Sequence, residues 1–97
     1  MNGAFGKMSS ASLDGTWGGT QNGLCAQIIV VGASVIGFYW RDEYLPVSGV
    51  AFSADGCGLS FDFERGNATL TRSGGERSAR LDVSEGGHVV NLCLQRD

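Results

Sequence analysis

From Leu13 onward, apolar and polar residues alternate with a period of two along most of the chain. Leu59, Phe61 and Phe63 are interleaved with Ser60, Asp62 and Glu64, and Ala79, Leu81 and Val83 with Arg80, Asp82 and Ser84. Val90, Leu92 and Leu94 alternate with Asn91, Cys93 and Gln95, and Leu13, Gly15, Trp17 and Gly19 share one face of the first segment. This alternation gives each segment one face for a core and one for water, as in a half-buried strand. No stretch sustains a 3.6-residue apolar period with caps at its ends, so almost no helix is predicted.

Turn signals divide the alternating segments at Asn22-Gly23, Gly32-Ala33, Asp42-Glu43, Asp55-Gly56, Gly66-Asn67, Gly74-Gly75 and Gly86-Gly87. Glycine and asparagine supply the positive φ angles that tight hairpins require. Seven turns at roughly ten-residue spacing make eight segments, the pattern of an all-β sandwich or barrel. Connections this short make each strand antiparallel to its predecessor, and closing such a meander removes both exposed edges. The expected fold is therefore a closed eight-stranded antiparallel up-and-down β-barrel over residues 13–97. Residues 1–12, rich in Gly, Ser and Ala, read as a flexible leader. A two-sheet sandwich is the alternative, although its crossovers need longer connections. Pro46 falls near the start of the fourth segment, where a missing donor is tolerated.

The first segment reads Leu13-Asp14-Gly15-Thr16-Trp17. It resembles the opening strand of the calycin barrels, the avidin and lipocalin families, in which Gly-x-Trp or Gly-Thr-Trp sits near the closed end. In lipocalins an arginine of the last strand packs over this tryptophan, and the resemblance implies that role for Arg96. Ligand residues do not carry over. Where avidins place an Asn and then a Ser for biotin, this chain has Gly19 and Gly23, and it has only two tryptophans, Trp17 and Trp40. The long mouth loops of lipocalins are missing too.

Composition narrows the partners. A net charge of −3, with one lysine and six scattered arginines, leaves no basic face for nucleic acid. No apolar run approaches the ~18 residues of a membrane-spanning helix. One histidine and no Cys-x-x-Cys pair offer no metal site, and no cofactor is expected. Residues 1–12 lack the apolar core of a signal peptide, so the compartment is cytoplasmic or, if a signal was trimmed, periplasmic or secreted. Cys57 and Cys93 fall out of phase with each other, so three free thiols are expected. Cys25 and His88 are the only conceivable thiol–imidazole pair, and the first strand should separate them. The carboxylates Asp62, Glu64 and Asp82 fall on solvent faces. Asn67-Ala68-Thr69 fits the glycosylation acceptor pattern, which without a secretion signal carries little weight. The chain therefore does not read as an enzyme.

Two segments depart from alternation, 24–31 and 35–40. With Ile36, Phe38 and Trp40 turned inward, Val35 and Tyr39 would point outward beside Ile29 or Ile28. A strand apolar on both faces is usually covered on both. The cover would be the leader around Phe5 or, by preference, a second copy. A homo-oligomer through strands two and three is thus expected, with Ile29, Val35, Tyr39 and Tyr44 on its contact face. Two functions follow. The first is a non-catalytic barrel holding a small apolar or aromatic ligand against Trp17, Phe38, Trp40 and Phe61, in its interior or at its rim. The second is a protein-binding barrel, an inhibitor or adaptor, using the aromatic rim 39–44, because Trp, Tyr and Arg dominate interface hot spots.

Overall fold

The computed structural model describes residues 13–32, 34–73 and 77–97. The predicted leader, residues 1–12, and the predicted Gly74-Gly75 turn lie outside these. Among the described residues, nine strands form one antiparallel sheet: β1 (Gly15–Gln21), β2 (Leu24–Val31), β3 (Ser34–Trp40), β4 (Glu43–Tyr44), β5 (Val47–Phe52), β6 (Gly58–Phe63), β7 (Gly66–Arg72), β8 (Ser78–Glu85) and β9 (His88–Arg96). Their order across the sheet is β4-β3-β2-β1-β9-β8-β7-β6-β5.

The all-β meander is therefore present, but the closed eight-stranded barrel is not. First and last strands do meet: Trp17 pairs with Arg96 and Gly18 with Gln95, and the Asp97 N–H donates to the Thr16 carbonyl at 3.1 Å. The opening lies elsewhere, between the β4 and β5 edges, so that the sheet is a strongly curled half-barrel.

Two local features produce that opening. The fourth predicted segment is split by Leu45-Pro46 into β4 and β5, which makes nine strands of eight. Proline has no N–H for a ladder and holds the residue before it extended. The Leu45 N–H makes a last bond to the Phe38 carbonyl at 2.9 Å, and the Leu45 side chain is buried. The chain then crosses to pair with β6. In addition, both facing strands carry a bulge. In β3 the register passes from Ile29–Gly37 to Val30–Val35, leaving Ile36 extra. In β5 it passes from Ser48–Asp62 to Ala51–Ser60, with Gly49 at φ +61°. Bulges bend and twist the strands that hold them, here on both sides of the gap.

The β3 bulge also corrects the phase expected for this strand. Val35 turns inward and packs against the core, whereas Ile36 is 58% exposed. Two turns shift as well. Arg41 and Asp42, at φ +57° and +66°, form the β3–β4 turn, and Glu43 pairs with Trp40. Gly66 opens β7 instead of forming a turn.

Inward residues of every strand except β4 meet in one core. Trp17, Ile28, Phe38, Trp40, Leu70, Leu81, Val83 and Leu94 have no exposed surface at all. Phe38 of β3 lies edge-on to Phe61 at 4.9 Å and tilted to Phe63 at 5.3 Å, so aromatic packing bridges the gap that main-chain pairing does not. At the closed junction the Arg96 guanidinium stacks over Trp17 at 4.7 Å, as the first-segment resemblance implied. Gly15 explains its own place in that motif. A Cβ there would lie 2.7 Å from Arg96 Cδ, and the residue sits at φ +130°.

Candidate functional site

The four aromatic residues expected to hold a ligand come together, but as packing. Trp17, Phe38, Trp40 and Phe61 are all within 1% of complete burial. Their polar handles are taken by the protein: Trp17 Nε1 donates to the Leu13 carbonyl at 2.8 Å and Trp40 Nε1 to Glu85 at 3.3 Å. A surface depression of about 370 Å³ lies beside the Ser53–Cys57 turn, between Phe52, Ser60 and Thr69, and none of the four aromatics lines it. In that turn Ser53 Oγ and the Cys57 N–H both donate to Asp55, at 2.6 and 3.0 Å. The two donors, Ser53 first, hold the Asp55 carboxyl below its ordinary range.

The upper end of the half-barrel carries a cluster that the sequence pattern did not reveal. Glu85, at the end of β8, receives Arg65 Nε at 2.6 Å and Trp40 Nε1 at 3.3 Å, with Arg41 at 3.5 Å. Arg65 also reaches Glu43 at 3.3 Å. His88 is the β9 register partner of Glu85. Positions 20 to 45 residues apart thus tie the β3–β4 hairpin to the β6–β7 turn across the gap. Sequence spacing has no period that could announce such a convergence. Partial burial works against the Glu85 charge, but hydrogen bonds from Arg65 and Trp40 and the charges of Arg41 and Arg65 outweigh it. The carboxyl is held below its ordinary value of 4.5.

A folded-state pKa below the unfolded one means that this tie is fully present above about pH 4.5 and is lost as pH falls through the lower folded value. Acidification below that point is expected to lower the amide-exchange protection of the 40–44 hairpin before that of β7–β9. Glu85→Gln should already show the less protected hairpin at neutral pH. Equal protection of the hairpin in both proteins would rule out the tie.

The outer wall of the half-barrel has two contrasting parts. On β6–β8, Asp62, Arg80 and Asp82 break up a surface of hydroxyls and amides. On the other part, β1 presents Thr16, Gly18 and Thr20, and β2 presents Cys25, Gln27, Ile29 and Val31. The upper contact on this side is the 3.3 Å approach of Thr20 Oγ1 to Cys25 Sγ. β3 adds Ile36 and Tyr39, and β4 adds Tyr44. No residue facing outward from β1–β4 is charged. Val31, Ile36, Tyr39 and Tyr44 are 56, 58, 37 and 55% exposed, and the two tyrosine rings meet edge-on at 5.4 Å. Of the residues expected on a contact face, the structure brings Ile29, Tyr39 and Tyr44 together and turns Val35 away. Ile36 joins them instead, because a bulge leaves no trace in the apolar pattern. Beside the tyrosines a dent of about 190 Å³ opens between Cys25, Gln27, Tyr39 and Asp42.

The thiol–imidazole pair is not assembled. Cys25 on β2 and His88 on β9 have β1 between them, and His88 is exposed. All three cysteines are free thiols. Among the described residues no group of His, Cys, Asp and Glu could hold a metal, and no helix is long and apolar enough to cross a membrane. No protein family, no curated protein and no solved structure matches this chain.

Proposed function

We propose that this protein is a non-catalytic protein-contact module whose working surface is the uncharged wall of β1–β4, centred on Tyr39 and Tyr44. The observation that carries this reading is the grouping of exposed Val31, Ile36, Tyr39 and Tyr44 on neighbouring strands that present no charge outward. Such a patch on a small soluble chain marks an interaction site more often than an accident of composition. Tyrosine supplies large contact area at low entropic cost, with the exposed Arg41 at the upper margin. The calycin-like first strand would favour the other reading, a ligand-holding interior. The complete burial of Trp17, Phe38, Trp40 and Phe61 speaks against it.

The two readings separate in one pair of measurements. Native mass spectrometry is expected to return the chain without a small organic molecule. The neutral apolar dye Nile red should bind the folded wild type and lose most of its fluorescence with Tyr39→Glu. A small molecule retained in the native state and released on denaturation would overturn the wall reading. So would dye binding that is indifferent to Tyr39.

A further inference from the structure

We infer that the recess beside the Ser53–Cys57 turn is a binding site for a small apolar molecule carrying an ammonium group, which the Asp55 carboxylate receives. The site lies on the outer face of β5–β7, apart from the β1–β4 wall, and does not depend on the contact reading.

The recess follows from residue size. Outward positions of β6 alternate with the buried Leu59 and Phe61, and fall at Gly58, Ser60 and Asp62. In register, Ser60 stands between Ala51 of β5 and Thr69 of β7, and Gly58 stands beside Thr71. These positions are small on all three strands, and Gly58 has no side chain at all. The 53–57 turn closes one end. It is held there by the Gly58 N–H, which donates to Ser53 Oγ at 2.9 Å, and by the Ser53 N–H, which donates to the Gly58 carbonyl at 2.8 Å. The space left is about 370 Å³, at the small end of the range for ligand pockets.

Two features choose the chemistry of the ligand. The first is charge. Asp55 is the only charged residue of the lining among the described residues. Ser53 Oγ and the Cys57 N–H both donate to Asp55 Oδ1, so the turn uses one oxygen and leaves Oδ2 without a hydrogen bond. Arg80, which faces Thr71 across the β7–β8 ladder, is held by Asp82 at 3.2 Å. An ammonium group completes this carboxylate, whereas an anion would be repelled. Because two donors fix the carboxylate before the ligand arrives, little ordering is lost on binding. The second feature is the rest of the surface. Ala51 and Phe52 offer apolar contact. The hydroxyls of Ser60, Thr69 and Thr71, which make no hydrogen bond among the described residues, can accept the remaining ammonium N–H groups.

The recess is open to water on one side, so its ligand exchanges freely. Such a ligand is lost during purification, and the native mass of the isolated protein stays that of the bare chain.

The probe is phenethylammonium, added to the isotope-labelled full chain and followed by amide shifts in two-dimensional NMR. Saturable shifts are expected in 51–60 and 69–71, with a Kd on the order of 1 mM. Phenethyl alcohol has the same shape without the charge. It should bind about five-fold more weakly, the worth of one exposed charge pair. Asp55→Asn should cause the same loss for the ammonium and none for the alcohol. The Asn oxygen can still accept both turn bonds, so the spectrum should otherwise match the wild type. Gly58→Val should abolish binding of both by filling the recess. A Cβ there would meet nothing nearer than the Leu70 carbonyl oxygen and Ser53 Oγ, each at 3.5 Å, so the strand has room for it.

Shifts that do not saturate, or that centre elsewhere, overturn the site, as does undiminished binding by Gly58→Val. Equal affinity for the alcohol overturns the ammonium group, and so does an Asp55→Asn protein that binds it like the wild type. None of these outcomes bears on the dye binding lost with Tyr39→Glu, which judges the β1–β4 wall.

Discussion

Phe38→Ala is expected to lower the stability of the fold by about 3–5 kcal/mol, the range for removing a large aromatic from a packed interior. Phe38 is fully buried, and its ring is the β3 member of the cluster with Phe61 and Phe63. At most positions the sheet itself would hold neighbouring strands together after such a truncation. Here β3 and β6 belong to opposite sides of an unpaired gap, and side-chain packing led by this cluster, with the Glu85 tie, joins them in place of a main-chain ladder. A small domain has about 5–15 kcal/mol in all, so the variant should be largely unfolded at moderate urea. Urea denaturation followed by tryptophan fluorescence measures it. A loss below about 1 kcal/mol would mean that the gap is not held by aromatic packing.

Gly66→Ala should be the most damaging single added methyl group on the surface strands, costing about 3 kcal/mol, the upper end of the range for overpacking. The added Cβ would lie 2.9 Å from the Ser84 carbonyl carbon and 3.2 Å from Glu85 Cα, and closer still to the Ser84 oxygen. These are backbone atoms, which a rotamer change cannot move. To accept the methyl group, β8 must shift at its upper end, and Glu85 shifts with it, away from Arg65 and Trp40. Gly66→Ala should therefore combine a lower urea midpoint with fast amide exchange in the 40–44 hairpin. Gly18→Ala is the control, since its Cβ would meet nothing nearer than the Ala26 carbonyl oxygen at 3.8 Å. Equal stability of the two variants would show that β7 and β8 do not approach this closely.

How far each feature was legible in the sequence follows from the range of the interactions behind it. Strand character is local. Alternation in 59–64, 79–84 and 90–95 gave the faces correctly, because a strand repeats every two residues whatever it packs against. The Asn22-Gly23 and Gly86-Gly87 turns were equally local, and both residues of each have positive φ. The meeting of first and last strands, with Arg96 over Trp17, was expected from the meander and the opening motif together. The buried aromatics were recognised as inward, though whether they enclose a space or fill one depends on how tightly the sheet curls. Composition does not encode that curl.

The chain by itself thus determined an antiparallel all-β meander and, outside β3, its inward and outward faces, since these depend on neighbours one or two residues apart; the pairing of first and last strands was expected from the meander and the opening motif. Only the tertiary structure decided that the sheet stays open. The opening follows from a corner at Leu45-Pro46 and two bulges, each of which inserts a residue without disturbing the apolar composition. One of those bulges exchanged Val35 for Ile36 on the outer wall. The Glu85 cluster and the dent beside Tyr44 were equally invisible beforehand, because they join side chains brought together only by the curvature of the sheet.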